Sequence, residues 1–294
     1  MLVFTTISEL RSHISSYRSM HPEAKVGLVP TMGFLHEGHA SLIRRSAAEC
    51  GLTVVSIFVN PLQFGPGEDY EQYPRDGERD KRLADEAGAD ALFMPTVEEM
   101  YPRQTSTRVL VSGVTDRLCG ASRPGHFDGV GTVVSKLFHI VTPDHAYFGM
   151  KDAQQVAVIT RMVEDLNMPV TVVPCETVRE PDGLALSSRN VYLDDAERTQ
   201  AVVLSQALAL SEQWLRDGIT ASDAAQRLKA YIAKAPLADI DYAEVLHFPD
   251  LTVPGPEERL AEGGRWIAAV AVRFGRTRLI DNRIFSGDEV TAYV

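Results

Sequence analysis

The sequence is poor in cysteine, lacks any block of basic residues and contains no long apolar run. Its three cysteines, Cys50, Cys119 and Cys175, are far apart and match no metal-binding spacing such as C-x-x-C, which suits a reducing cytoplasm. Lys and Arg number 29 against 40 Asp and Glu, so the formal net charge is −11 and the chain repels polyanions. No stretch approaches the ~18 apolar residues that a membrane span needs. The N-terminal residues do not resemble a signal peptide, so we expect a cytoplasmic protein with neither nucleic-acid nor membrane partners.

The rest of the composition is that of a globular protein with a substantial core. The chain has 294 residues, of which 45% are hydrophobic and 23% are charged. These values exclude disorder and low-complexity structure. At about 100–200 residues per domain, the length accommodates two domains.

Strand-like and helix-like segments alternate over the first half of the chain. Short β-branched or apolar runs predict strands at 25–29, 53–59, 91–94, 145–148 and 170–173. Helical spacing of apolar residues predicts a helix carrying Leu42, Ile43 and Ala47 on one side, an exposed helix over 78–88, and helices over 129–141 and 151–166. This alternation indicates an α/β fold with a doubly wound parallel sheet, a Rossmann-like domain.

The pattern changes after about residue 175. Two helices are predicted at 194–217 and 221–235, followed by strands at 239–246, 265–274 and 278–281. A turn at Gly275 and Arg276 joins the last two strands. We therefore expect a smaller α+β C-terminal domain, with domains at 1–178 and 179–294.

The strongest local signal is the segment PTMGFLHEGH at 30–39, directly after the first predicted strand. Backbone N–H groups at a helix start suit phosphate, and Gly33 and Gly38 allow close approach of a ligand. His36 and His39 are three residues apart, so they face the same way and are able to donate hydrogen bonds to phosphate oxygens. The alternatives are a capping or surface role, or zinc. H-E-G-H is not the H-E-x-x-H of metalloproteases and has no obvious third ligand, so we predict no metal site.

The H-x-G-H string resembles the signature of the nucleotidyltransferase superfamily, and the wider sequence resembles the pantothenate synthetase (pantoate–β-alanine ligase) family. The blocks that carry the resemblance are PTMGFLHEGHASLI, SIFVNPLQFGPGEDYEQYPRD, RPGHFDGVGTVV, FGMKDAQQ, LALSSRN and, more weakly, LIDN at 279–282. Three positions depart from the family pattern: Met150 and Ala153 stand where Glu and Tyr are common, and Leu186 replaces Met. The loss of an acid beside Lys151 removes a possible charge partner.

The resemblance implies an ATP-dependent condensation of pantoate with β-alanine. Pantoate carboxylate would attack the α-phosphate of Mg-ATP, giving pantoyl adenylate and pyrophosphate, and β-alanine would then release AMP. The resemblance further implies a homodimer, nucleotide and pantoate binding by 1–178, and a lid-like loop at 184–190 in 179–294.

By resemblance, six residues are catalytic: His36, His39, Lys151, Ser187, Ser188 and Arg189. The implied ATP site comprises Pro30, Thr31, Met32, Gly33, Phe34, Leu35, His36, Glu37, Gly38, His39, Gly149, Met150, Lys151, Asp152, Val178, Leu186, Ser187, Ser188 and Arg189. The implied pantoate and β-alanine site comprises Gln63, Gln155, Asn60 and Tyr73. Arg123 and His126 are candidates for the β-alanine end or the pyrophosphate path, or form a structural turn.

Other interpretations stay open from the residues alone. Lys151 also fits a solvated surface lysine, Ser187–Arg189 an ordinary turn, and Tyr73 plain packing. An adenylyltransferase acting on a phosphorylated cofactor precursor would share H-x-G-H, but would want basic residues for the acceptor phosphate. A non-catalytic nucleotide sensor would tolerate the loss of His39 or Lys151, both of which are present.

Overall fold

The computed structural model describes residues 1–259 and 264–286, and the chain forms two compact units. Unit 1 comprises Met1–Val111, Arg123–Gly149 and Val158–Cys175; unit 2 comprises Ser112–Ser122, Met150–Ala157 and the chain from Glu176 onward. Two short segments, 112–122 and 150–157, thus belong to unit 2 although they precede residue 179. Positions 260–263 and 287–294 of the predicted C-terminal domain lie outside the described residues.

Unit 1 contains a six-stranded parallel sheet. Its strands are β1 (Leu2–Phe4), β2 (Val26–Thr31), β3 (Leu52–Ile57), β4 (Ala91–Phe93), β5 (His145–Gly149) and β6 (Thr171–Cys175). Their order in the sheet is β1-β4-β3-β2-β5-β6. The predicted α/β fold class, with its parallel Rossmann-like sheet, is confirmed, and the predicted strands are present with boundaries shifted by a few residues.

The residues that the structure describes include ten α-helices. In chain order they are α1 (Ile7–Met20), α2 (Glu37–Glu49), α3 (Gly77–Glu86), α4 (Val97–Met100), α5 (Leu118–Ser122), α6 (His126–Val141), α7 (Ala153–Asp165), α8 (Asp195–Ala201), α9 (Val203–Arg216) and α10 (Ala221–Ile232). Single 3₁₀ turns occur at Pro61–Gln63, Met150–Asp152 and Ser188–Tyr192. Within the described residues, no helix is both long enough and apolar enough to cross a membrane.

The strand order places β2 at the topological switch point of the sheet. β2 pairs with β3 on one side and with β5 on the other, so the chain winds outward in both directions from this pair. Ligands of open α/β sheets bind beyond the carboxyl ends of the strands at such a point. The segment that follows β2 is therefore the segment best placed for binding in unit 1.

The buried face of α2 differs from the predicted one by a single position. Leu42 and Ile43 are buried as expected, but Ala47 is exposed and Ser46 is buried instead. The hydroxyl of Ser46 lies 2.8 Å from that of Thr53, so its polar atom is satisfied inside the core. Gly27 makes room for it, because a Cβ there would clash with Ser46 Oγ.

Unit 2 contains a three-stranded antiparallel sheet with helices α8, α9 and α10. Its strands β7 (Ala238–His247), β8 (Arg265–Phe274) and β9 (Thr277–Ser286) pair in that order, and the turn between β8 and β9 is at Gly275 as predicted. The strand predicted at 278–281 is longer, because all of β9 pairs with β8. Trp266, Phe274 and Leu228 are among the fully buried residues of its core.

The prediction of a single helix over 194–217 is wrong, because the structure has two helices there, α8 and α9, which are separated at Val202. The hydroxyl of Ser205 donates to the carbonyl of Val202 at 3.0 Å. A serine hydroxyl bonded to a nearby carbonyl competes with the regular helical bond at that point.

Candidate active site

The turn after β2 has a backbone conformation that requires glycine at position 33. Gly33 has φ +86 and Phe34 has φ +49, so two consecutive residues adopt left-handed conformations. A Cβ on Gly33 would lie 2.9 Å from Ile57 Cγ2. The turn therefore needs glycine for both conformation and space, and it directs the chain from the carboxyl end of β2 into α2.

A buried carboxylate holds this turn from α3. Asp80 is only 2% exposed, and its two oxygens accept hydrogen bonds from the backbone N–H groups of Phe34, at 2.8 Å, and Leu35, at 2.6 Å. Burial raises the pKa of Asp80 above its ordinary value, and the two backbone hydrogen bonds oppose that rise. Sequence reasoning missed Asp80, since 78–88 was predicted as an exposed helix. The available signal was helical spacing, because Asp80 and the buried Ala84 are four residues apart.

His36 and His39 form a reciprocal cap at the start of α2. The backbone N–H of His36 donates to Nδ1 of His39 at 3.2 Å, and the backbone N–H of Gly38 donates to Nδ1 of His36 at 3.1 Å. The two ring centroids are 4.1 Å apart. Because each Nδ1 accepts a hydrogen bond from a backbone N–H, each neutral ring must carry its own proton on Nε2.

The backbone N–H groups of this corner are largely used within the protein. Phe34 and Leu35 donate to Asp80, while His36 and Gly38 donate to the two imidazoles. The donors that the two rings can present to a phosphate are therefore their Nε2–H groups. Contact between the backbone of this segment and ATP stays a prediction.

Asn60 and Gln63 form a second polar group in unit 1: Asn60 caps the 3₁₀ turn Pro61–Gln63, and Gln63 is its last residue. Asn60 is fully buried: its Oδ1 accepts from Tyr101 Oη at 2.9 Å, and its Nδ2 donates to Gly129 O and to Gln63 Oε1, both at 3.1 Å. Leu62 N also donates to Asn60 Oδ1. These backbone partners fix the amide orientation of Asn60 and, through it, that of Gln63. Gln63 therefore keeps its Nε2 donors on the side away from Asn60.

Arg123 and His126 hold the backbone of Gln63. His126 Nδ1 donates to Gln63 O at 2.8 Å, while Arg123 donates to the same carbonyl at 3.3 Å and to His126 Nε2 at 3.1 Å. Arg123 also forms a bidentate pair with Glu68 at 2.7 and 2.6 Å. Although burial by itself raises the pKa of Glu68, the hydrogen bonds and charge of Arg123 bring it below its ordinary value. These two residues thus support Gln63.

Tyr73 lies inside unit 1. It is 6% exposed, and its ring centroid is 6.0 Å from that of Phe64 in an edge-on arrangement. This is the packing role that the sequence left open beside a role in substrate binding. Its contact with pantoate stays a prediction.

In unit 2, Lys151 lies in the 3₁₀ turn that follows β5 in the chain. Its Nζ donates to Asp152 Oδ2 at 3.2 Å, so a neighbouring acid is present although Met150 replaces the common Glu. Met150 and Ala153, the two departures from the family pattern, are both buried.

The adjacent glutamines of α7 have different environments. Gln154 is buried and is bound to backbone groups: it accepts from Cys119 N and donates to Val114 O and Arg117 O, at 2.8 to 2.9 Å. Gln155 is half-buried. The amide of Gln154 thus has a structural role, and Gln155 is the one predicted to bind substrate.

The predicted lid-like segment forms a short hairpin and a 3₁₀ turn in unit 2. Leu186 N donates to Val178 O at 3.0 Å, and Arg179 and Ala185 form an antiparallel β-bridge. Gly183, between them, has φ +95. Ser187 then caps the 3₁₀ turn, because its Oγ accepts from Arg189 N at 3.3 Å. Ser188 is buried. Of the three predicted phosphate-binding residues, Ser187 caps this turn, and Ser188 and Arg189 are its first two residues.

No group of three or more His, Cys, Asp or Glu side chains within residues 1–259 and 264–286 has an arrangement that could hold a metal ion.

In unit 1, a doubly wound parallel sheet with paired histidines at its switch point defines the class: a Rossmann-like α/β protein with its polar donors at the ligand-binding edge.

Comparison with known proteins identifies the family. The family model described as pantoate-beta-alanine ligase matches residues 2–284. A pantothenate synthetase from Pelotomaculum thermopropionicum is 53% identical over 285 residues, which cover 97% of this chain and 99% of the relative. The chain therefore belongs to the pantoate–β-alanine ligase family, and the predicted family and enzyme class are confirmed.

Solved structures agree with this assignment. The crystal structure of the pantothenate synthetase from Thermus thermophilus matches with a TM-score of 0.87 and 49% identity, covering 96% of this chain and 98% of that one. The pantoate-beta-alanine ligase from Francisella tularensis, crystallised as a complex with beta-gamma ATP and beta-alanine, matches with a TM-score of 0.77 and 31% identity, covering 98% of each chain.

Proposed function

We propose that this chain condenses pantoate with β-alanine at the expense of ATP, through a pantoyl adenylate. In the first step a pantoate carboxylate oxygen bonds to the α-phosphorus of ATP, and the bond from that phosphorus to the pyrophosphate oxygen breaks. In the second step the β-alanine amine bonds to the acyl carbon, AMP leaves and the amine loses a proton. Membership of the ligase family and the reciprocal cap of His36 and His39 support this proposal.

The two imidazoles serve as neutral donors to the phosphates. Each Nδ1 accepts a hydrogen bond from a backbone N–H in the cap, so each ring donates through Nε2–H to an oxygen that gains charge as pyrophosphate leaves. Donors that are already oriented stabilise such charge without reorganisation during the reaction. His39 has this role most directly, and His36 lies beside it along the phosphates.

Lys151 and the turn at Ser187, Ser188 and Arg189 supply the further phosphate contacts. An ammonium group is a compact charge suited to the α- and β-phosphates, and two hydroxyls with a guanidinium form a clamp. Asp152 lies beside Lys151 and accepts a hydrogen bond from its Nζ at 3.2 Å. Closure of the loop at 184–190 over ATP would exclude water from the adenylate.

Pantoate is oriented by amides rather than by charges. Gln63 directs its Nε2 donors away from Asn60, which suits a carboxylate or hydroxyl oxygen without neutralising the nucleophile. Gln155, half-buried near the start of α7, is the second such amide, and Gln63 also contributes at the β-alanine position. Asn60 acts on pantoate through Gln63, because both ends of its amide already bond to the protein.

Positioning is the main source of the rate enhancement in this account. Holding a carboxylate in line with the α-phosphate contributes up to about 7–11 kcal/mol in ideal cases. The β-alanine amine must be neutral to attack, and a bound neutral fraction serves as well as assisted deprotonation. Mg²⁺ enters with ATP as part of the substrate.

Two further properties are proposed with the activity. A cytoplasmic location agrees with three cysteines that are all free thiols. A homodimer follows from the resemblance to the family, and sedimentation velocity measures it directly.

Product analysis tests the reaction. The purified chain is incubated with ATP, Mg²⁺, pantoate and β-alanine, and the nucleotide products are separated. AMP and pyrophosphate, with exchange of labelled pyrophosphate into ATP that needs pantoate but not β-alanine, support the adenylate. ADP and phosphate would indicate an acyl-phosphate ligase and would overturn the proposal.

A further inference from the structure

The LIDN segment at 279–282 lies in β9, and the proposed reaction gives it no role. Its two polar residues, Asp281 and Asn282, are adjacent on the strand. Adjacent residues on a strand point to opposite faces of the sheet, so the two side chains reach different parts of unit 2. Asn282 contacts the turn that carries Lys151, and Asp281 contacts the hairpin that precedes Ser187; phosphate binding is proposed for both Lys151 and Ser187.

Asn282 holds the turn that carries Lys151. Its Nδ2 donates to Met150 O at 2.8 Å and to Lys151 O at 2.9 Å, which uses both of its amide protons. These two carbonyls belong to consecutive residues of the 3₁₀ turn Met150–Asp152. The backbone from which the Lys151 side chain extends is therefore fixed at two neighbouring points.

Asp281 holds the hairpin that leads to Ser187. It is 3% exposed and forms a bidentate pair with Arg179, at 2.6 and 2.9 Å, while Arg179 also donates to Gly183 O at 3.1 Å. Asp281 Oδ1 further accepts from Asn282 N at 2.8 Å. The carboxylate thus ties Arg179, at the base of the hairpin, to β9, and Arg179 in turn bonds to Gly183 near the tip.

We infer that Asp281 and Asn282 are positioning residues for ATP, Asn282 acting through Lys151 and Asp281 through the Ser187–Arg189 turn; this rests on the function proposed above. Neither side chain touches the nucleotide in this account. Because a displacement of about 1 Å can cost 10²-fold in rate, an anchor of this kind is expected to affect catalysis as well as folding.

A double-mutant cycle in the full-length protein tests this inference. Pantoate-dependent ATP–pyrophosphate exchange is measured for the wild type, Asn282→Ala, Lys151→Ala and the double variant, well below each melting temperature. We expect Asn282→Ala to lower the exchange rate at least about tenfold. The double variant should be within about twofold of Lys151→Ala, since one effect acts through the other. Gln213→Ala, which removes an exposed amide bonded to Asp217, is the control and should stay within about twofold of the wild type.

Amide hydrogen exchange separates this inference from the proposed function. Asn282→Ala should speed exchange at 150–155, and Asp281→Asn should speed it at 178–187, with 34–39 unchanged in both. If the wild-type protein does not catalyse ATP–pyrophosphate exchange, the proposed function is wrong. Amide hydrogen exchange would still show whether Asn282 and Asp281 hold their segments in place. Two results for a folded Asn282→Ala variant would overturn the inference. One is unchanged amide hydrogen exchange. The other is a double variant whose loss of pyrophosphate-exchange rate equals the product of the losses of Asn282→Ala and Lys151→Ala. Should Asn282→Ala not fold, Asn282→Ser is judged by the same criteria.

Discussion

The backbone N–H of His36 donates to Nδ1 of His39, and the two rings lie 4.1 Å apart between centroids. With the matching bond from Gly38 to His36, this arrangement closes the first turn of α2 and settles the tautomer of both rings. The same contact therefore stabilises the helix start and makes Nε2–H the donor group of each ring.

Replacing His39 tests its role in catalysis and its role in stabilising the start of α2. His39→Ala should lower the rate of adenylation at least ~10²-fold, since an oriented donor to the leaving phosphate is lost. It also removes the acceptor for His36 N–H, which should lower the free energy of unfolding by about 1 kcal/mol. Pantoate-dependent pyrophosphate exchange and urea unfolding measure the two effects.

The control for this prediction is His36→Asn. Asparagine is a strong N-cap residue, so stability should be kept, whereas the Nε2–H donor is lost. A stable His36→Asn with a reduced exchange rate is expected. Full exchange activity in both variants would remove the histidines from the mechanism.

The tautomers are directly observable. We expect long-range ¹H–¹⁵N correlation spectra recorded above neutral pH to show His36 and His39 protonated at Nε2 and not at Nδ1, because each Nδ1 accepts a hydrogen bond from a backbone N–H. Spectra showing Nδ1–H on either ring would mean that the cap does not form in solution.

Asp80→Asn should destabilise the turn after β2. The NH₂ group of the asparagine would face a backbone N–H, so the buried N–H of Phe34 or Leu35 would lose its acceptor. We expect this to lower the free energy of unfolding by about 1–3 kcal/mol. The rate of pantoate-dependent ATP–pyrophosphate exchange should fall as well, because this turn leads into His36.

Asp76→Asn on the same helix is the matched control for Asp80→Asn. Asp76 caps α3 by accepting from Arg79 N, and asparagine caps equally well, so little change is expected. Equal effects of the two substitutions would contradict a specific role for Asp80.

Much of unit 1 could be predicted from the sequence because its strands are short apolar runs and its helices have a clear apolar face. The strand β1 and the helix α1 were not predicted: β1 has three residues, and α1 buries only Leu10 and Ile14. The histidines were found from a local motif. Asp80 was not: helical spacing places it on the same face of α3 as the buried Ala84, but its hydrogen bond to the turn after β2 spans 45 positions of the chain and does not follow from that spacing.

Gln63→Glu tests whether amides bind pantoate. A carboxylate there would face the pantoate anion, and like charges about 4 Å apart at a protein surface repel by several kcal/mol. The KM for pantoate should rise at least about tenfold while the KM for ATP stays within about twofold. Gln213→Glu, on the exposed side of α9, serves as the control. A KM for pantoate equal to that of the wild type would place Gln63 outside the pantoate site.

The pair of Arg123 and Glu68 predicts a pH dependence of stability. The pKa of Glu68 is lowered in the folded protein, so the folded state binds fewer protons there than the unfolded chain. Its stabilising contribution is present above the ordinary pKa of about 4.3 and is lost as the pH falls through the lowered value. Glu68→Gln should therefore reduce the melting temperature near pH 7 more than at about pH 3. Glu86→Gln, at an exposed position of α3, is the control, and equal losses at both pH values would contradict the prediction.

The decisive experiment is a crystal structure of the protein with a non-hydrolysable ATP analogue. We expect phosphate oxygens about 3 Å from Nε2 of His36 and His39, with both Nδ1 atoms still hydrogen-bonded to the backbone. A triphosphate bound away from these two rings would overturn the proposed role of the histidines.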